Sequence, residues 1–134
     1  MSELKGKIDF TLFISATNAN PNGDPLNGNR PRINMDGYGE ISDVCIKRKI
    51  RNRLQDRNQK IFVQSDDRTD DSYTSLKDRA DSCEELKKEM SNKKSANRDV
   101  CAAIACNEWF DVRAFGQVFA FKGISVSFGV RGPV

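Results

Sequence analysis

Between Lys7 and Ala16 apolar and polar residues alternate, with Ile8, Phe10, Leu12 and Ile14 on one face and Asp9, Thr11, Phe13 and Ser15 on the other. A period of two, rich in β formers and without Gly or Pro, predicts a central strand. Phe13 on its second face is of a kind that either stacks on a nucleobase or packs under a loop or helix. From Thr17 to Arg32 the pattern dissolves into turn formers, with Pro21, Pro25 and Pro31 restricting the backbone between Asn and Gly residues. This predicts an irregular but stiffened loop, longer than most connections in compact domains. After Gly37-Tyr38-Gly39, Ser42 or Asp43 is placed to cap a helix running to about Arg57. Its wheel puts Ile46, Ile50 and Leu54 on one side, Arg48, Arg51, Asn52 and Gln55 on the other, and Lys47, Lys49 and Arg53 on the flanks.

Ile61-Phe62-Val63 reads as a second, short strand. The chain from Ser65 is crowded with acids, bases and serines, and Tyr73, Leu76, Ala80, Cys83, Leu86 and Met90 recur within it every three or four positions. That spacing predicts an amphipathic helix on a charged surface insertion at about 65–97. Asn97 or Asp99 then starts a helix to about Phe110, whose small apolar residues Val100, Ala103 and Ile104 suit close packing. Asp111 to Phe119 is expected to turn into extended structure. Ile124, Val126, Phe128 and Val130 alternate as a further strand, followed by Arg131-Gly132-Pro133-Val134. Strands and core helices in this order make one α+β domain over 1–134, an element or two short of a full sheet and so expected to be incomplete at its C-terminus.

Charge changes this picture more than composition does. The 134 residues carry 31% charged and 37% hydrophobic side chains and a formal net charge of +3. Seven basic residues but a single acid, Asp56, lie between Lys47 and Lys60, a local cationic patch of the kind a polyanion site needs. The loop before it lacks the carboxylates of a calcium loop and the Gly-Lys-Ser/Thr of a Walker phosphate loop. What it offers is amides, which meet phosphate or sugar oxygens without reading bases. Cys45, Cys83, Cys101 and Cys106 form no Cys-x-x-Cys and the chain has no His, so free thiols in a reducing cytoplasm are expected, and no structural zinc. Asp66-Asp67 and Asp70-Asp71 have no second acidic cluster to converge on and read as solvated. With no leader and no apolar run of membrane-spanning length, a soluble protein without a membrane partner is expected. No nucleophile beside a base and no convergent carboxylates stand out, so neither catalysis nor a cofactor or metal is expected.

Five blocks in order carry a resemblance: Asn20-Pro21-Asn22-Gly23-Asp24-Pro25, Asn27-Gly28-Asn29-Arg30-Pro31-Arg32, Ile41-Ser42-Asp43-Val44-Cys45-Ile46-Lys47-Arg48-Lys49-Ile50-Arg51, Asp111-Val112-Arg113-Ala114-Phe115-Gly116, and Gly129-Val130-Arg131-Gly132-Pro133-Val134. Together they resemble the N-terminal part of the backbone subunit of type I-C CRISPR Cascade complexes, an antiviral surveillance machine. The resemblance implies an RNA-recognition-like, ferredoxin-like sheet whose copies stack along a guide RNA (crRNA) beside other Cascade subunits. It also implies a grip on the sugar-phosphate backbone, with target DNA met only through guide pairing, and no nuclease activity. Carried over by position, it marks Asn18, Asn20, Asn22, Gly23, Lys47, Arg48, Arg51 and Arg131 as RNA-binding. Related subunits in other CRISPR types cleave bound RNA with a loop Asp, for which Asp24 is the candidate here. A structural fragment without activity is the third reading.

Overall fold

The computed structural model describes residues 9–92, 96–123 and 126–132, which divide between two units, Met1–Ser42 and Asp43–Val134. The expectations for Lys7, Ile8, Ile124, Ser125, Pro133 and Val134 fall outside the described residues.

In the first unit, residues 9–16 are not a strand: they join no ladder among the described residues, and Phe10, Leu12, Phe13 and Ile14 are all exposed. Alternation supplies a face, but a strand also needs a neighbour for its N–H and C=O groups. The following loop, by contrast, is better ordered than its composition predicts, because it folds into two successive hairpins. In the first, β1 (Gly23–Asp24) pairs antiparallel with β2 (Arg30–Pro31) around a 3-10 turn at Pro25–Asn27. The Asp24 carboxylate accepts from Leu26 N at 3.0 Å, and Gly28 and Asn29 carry the chain back through the left-handed region with φ of 59° and 58°. In the second, Ile33 bridges Gly39 and the Asn34 side-chain oxygen accepts from the N–H groups of Asp36 and Tyr38. Arg32 and Glu40 close its root at 3.4 Å. The asparagines therefore act as local backbone substitutes, which is what this residue does best in turns.

The second unit opens with helix α1 (Asp43–Gln55) and continues through α2 (Leu76–Asp81), α3 (Glu84–Ser91), α4 (Arg98–Glu108), α5 (Phe110–Phe115), β3 (Gly116–Phe119) and β4 (Phe128–Arg131). Asn97 caps α4 by accepting from Asp99 N and Val100 N, as the sequence predicts. β3 and β4 pair antiparallel from Gly116 opposite Arg131 to Phe119 opposite Phe128. Asp111 to Phe115, expected to be turning into extended structure, is helical, and only Gly116 onward is strand. Phe119 is the centre of the core: its ring stacks on Phe128 at 4.6 Å and tilts against Phe62 at 4.8 Å, while Phe62 meets Trp109 at 4.7 Å. Burying each such side chain contributes about 1.5–3 kcal/mol, and the aromatic contacts add to it.

The charged stretch, contrary to expectation, is not a surface excursion, because Ala80, Leu86 and Met90 are buried in the same core as Trp109 and Phe119, with Leu76 and Cys83 against it. Its apolar spacing is as the sequence predicts, but Ser82-Cys83 breaks it into two helices that fold over the centre. Nor is Ile61-Phe62-Val63 a strand. Its backbone is held by side chains and by one helix end: the Asp111 carboxylate accepts from Phe62 N (2.7 Å) and Val63 N (3.0 Å), Arg79 donates to Phe62 O (2.8 Å), Arg48 donates to Val63 O (2.8 Å), and Phe110 N donates to Lys60 O. The backbone polar groups that a ladder would otherwise satisfy are met without one.

Arg79 is buried and forks onto Asp71, with Nε 2.7 Å from Oδ2 and Nη2 2.9 Å from Oδ1. Hydrogen bonds from Arg79 hold the Asp71 carboxyl below its ordinary value of 3.8. A depressed folded value gives stability that is fully present above 3.8 and is lost as pH falls through the lower folded value. Urea titrations across that acid range should therefore show a stability slope that Asp71→Asn flattens; an unchanged slope would remove the pair from the account of acid unfolding.

Candidate nucleic-acid interface

α1 holds the cationic patch, and its orientation within the second unit reverses the expectation. The polar side faces the body of the unit. Arg48 reaches Val63 O, Arg51 Nε lies 2.9 Å from Asp111 Oδ2, and Gln55 donates to Arg68 O and Asp70. Arg51 and Asp111 are 11% and 1% exposed, and the Arg51 guanidinium lies over the Phe115 ring at 5.0 Å. Burial, the largest cause, pushes the Arg48 pKa down, and the nearby Arg51 charge adds to it. Ile50, expected inside, is 42% exposed. The physical reason is that a helix face is drawn in by whatever it satisfies. Here a buried carboxylate and an orphan carbonyl outweigh an isoleucine.

The cations left on the outside are Lys47, Lys49 and Arg53. Lys47 pairs with Asp43 at 3.1 Å across one turn, and its hydrogen bond holds that carboxyl below the usual range. Arg53 lies 3.7 Å from Asp56 and is mostly exposed, and Lys49 has no side-chain partner among the described residues. Exposed pairs of this kind are weak and open readily to a stronger anion.

In the first unit Asn18 is exposed in the left-handed region at φ 51°. Asn20 donates to Asn29 O at 2.7 Å. Asn22 is half-buried, its Oδ1 accepting from both N and Oγ of Ser42 at 2.9 Å and its Nδ2 donating to Gly23 O. Gly23 sits in β1, where a Cβ would run into the Asn29 side chain. These loop positions are thus occupied in shaping the loop, and what they leave for a ligand is chiefly Asn18 and the exposed backbone. Arg131 ends β4, exposed, opposite Gly116, which directly follows Phe115, the residue whose ring lies under Arg51.

Asp111, which fixes Arg51 and the Phe62–Val63 backbone together, is not among the residues that sequence patterns single out. A signal for it exists: a lone acid between Phe110 and Val112 has to find a cation or donors if it is buried. Lys49 and Arg53, flanks by periodicity, belong to the outward-facing set. Among the described residues no group of three or more His, Cys, Asp and Glu is placed to hold a metal ion, and no helix is long and apolar enough to cross a membrane.

Two comparisons relate the chain to known proteins. The family described as CRISPR-associated protein Cas7 matches residues 6–134. The CRISPR-associated protein Cas7 of Haloferax volcanii is 35% identical over 120 residues, covering 83% of this chain and 32% of the relative. The chain thus spans about a third of the length of the curated relative it matches.

Proposed function

The chain belongs to the Cas7 family of CRISPR-associated proteins, and from that premise we propose that it is part of a type I-C Cascade backbone subunit that grips guide RNA by its phosphates. In this reading it is not an enzyme, it works in the cytoplasm beside further copies of itself and other Cascade subunits, and it meets target DNA only through the guide. A ferredoxin-like sheet belongs to the same proposal, with the helix-backed β3–β4 pair as its support. The observation that carries the reading is the exposed flank of α1 that bears Lys49 and Arg53, with half-exposed Lys47 on the opposite flank of the same helix. A subunit that accepts any guide needs point charges on phosphate and nothing that reads base edges.

Within this proposal the RNA-facing set shifts. Lys49, Arg53, Asn18 and Arg131 are exposed and Lys47 is half-exposed, whereas Arg48 and Arg51 act by holding α1 in place. Fluorescence anisotropy with labelled single-stranded RNAs of unrelated sequence tests it. Lys49→Ala and Arg53→Ala should weaken binding alike for every sequence and lower the salt slope by about 0.7 for each phosphate released, with melting unchanged. Arg51→Ala should lower stability as well as binding. Unaltered affinity when Lys47, Lys49 and Arg53 are all replaced would rule out this helix as the RNA grip.

A further inference from the structure

Two asparagines in the loop precede glycine, Asn22-Gly23 and Asn27-Gly28, and the fold treats them oppositely. At the first, both ends of the side-chain amide are engaged, and Gly23 is paired with Pro31 and packed against the Asn29 side chain. At the second, Asn27 is exposed with no side-chain hydrogen bond among the described residues. Gly28 stands in open space, so that even an added Cβ would meet nothing within 4 Å. The turn between them is a single turn of 3-10 helix, Pro25–Asn27, held at Leu26 and Asn29 by Asp24, with the Asn27 side chain left outside those bonds.

We propose that Asn27-Gly28 is a self-modification site at which the side-chain amide is converted to a carboxylate. The Gly28 backbone nitrogen, giving up its proton to solvent, attacks the Asn27 side-chain carbonyl carbon. The bond to the side-chain nitrogen breaks and ammonia leaves, closing a five-membered imide. Water then adds to either ring carbonyl, the ring C–N bond opens, and an aspartyl or isoaspartyl residue results. One water is consumed and one ammonia released, with no oxidation or reduction. Glycine matters because it has no Cβ to obstruct the approach of its nitrogen and turns freely in φ and ψ. The locked amide of Asn22 cannot make that approach without first breaking its bonds to Ser42. The reaction places a negative charge in the loop, so the modified chain should hold a polyanion less well.

The test keeps the 134-residue chain at mildly alkaline pH in two states, native and unfolded in urea, separates the acidic form by ion exchange, and locates the change by fragment mass spectrometry. In urea both positions should convert at comparable rates. In the native chain position 27 should convert while position 22 stays intact, and Asn27→Gln should abolish the acidic form. Conversion at position 22 keeping pace with position 27 in the native chain would overturn the proposal, as would an acidic form that persists in Asn27→Gln kept in the native state. Asp36-Gly37 can isomerise too, but without a change of charge or mass, so it does not enter this readout. The loss of RNA affinity rests on the grip proposed above and is measured separately on the isolated acidic form. A failure of that grip therefore leaves the mass result standing, and the reverse.

Discussion

Replacing Asp111 with alanine is expected to lower the free energy of unfolding by about 3–5 kcal/mol, a large share of the stability of a marginally stable domain. The carboxylate is 1% exposed and takes three donors: Phe62 N, Val63 N and Arg51 Nε. Without it the two backbone N–H groups are left dry and Arg51, only 11% exposed, has an uncompensated charge. Urea melts measure this directly. Asp111→Asn should fall between parent and alanine, because an amide oxygen still accepts while its NH2 confronts the guanidinium. Replacing Arg51 by methionine in the alanine background should recover part of the loss, since a buried charge is then no longer stranded. A cost below about 1 kcal/mol for Asp111→Ala would mean that the apolar packing of Phe62, not the carboxylate, holds this segment.

The second large effect is expected where β3 begins and β4 ends. Gly116 has φ 75°, and a Cβ there would stand 2.5 Å from Gly132 N and 2.6 Å from Val130 O. Gly132 is its mirror, with a Cβ meeting the carbonyl carbon and oxygen of Phe115 at 2.5 Å. Both obstacles are backbone, which cannot swing aside as a side chain does. Gly116→Ala combines an unfavourable positive-φ, extended conformation (ψ 160°) with the clash, so a loss of about 2–4 kcal/mol is expected. Gly132→Ala lacks the positive φ and should cost less. Thermal melts followed by far-ultraviolet circular dichroism suffice to rank them, and equal stability of Gly116→Ala and parent would contradict the close approach of the two chain segments.

Helix ends are the most legible feature of the sequence. Asn97 marks the start of α4 because capping is a local matter of one side chain and two or three N–H groups, and α1 likewise begins at Asp43, one of the two residues placed for its start. The spacing of Leu76, Ala80, Cys83, Leu86 and Met90 is equally readable, but not what that face meets, since the charge density around it argues for solvent. The same gap explains α1. Periodicity tells which residues share a side, whereas the side that turns inward depends on Asp111, sixty positions beyond Arg51. Residues 9–16 illustrate the limit from the other direction, a well-patterned strand whose ladder depends on a neighbour that no local pattern names. Of the candidate site, the cluster of cations is legible, while its division into structural Arg48 and Arg51 and outward Lys49 and Arg53 is not.

The side-chain harness around Lys60 to Val63 bears on how the chain tolerates editing. Residues 66–91 look like an appendage that a protein engineer would trim to shorten the molecule. Trimming them removes Arg79 from Phe62 O and Leu86 and Met90 from the core at once. The permissive place for a label or a spliced peptide is instead the tip at Asp36-Gly37, where Gly37 has open space around it and the hairpin is closed behind it by Arg32 and Glu40.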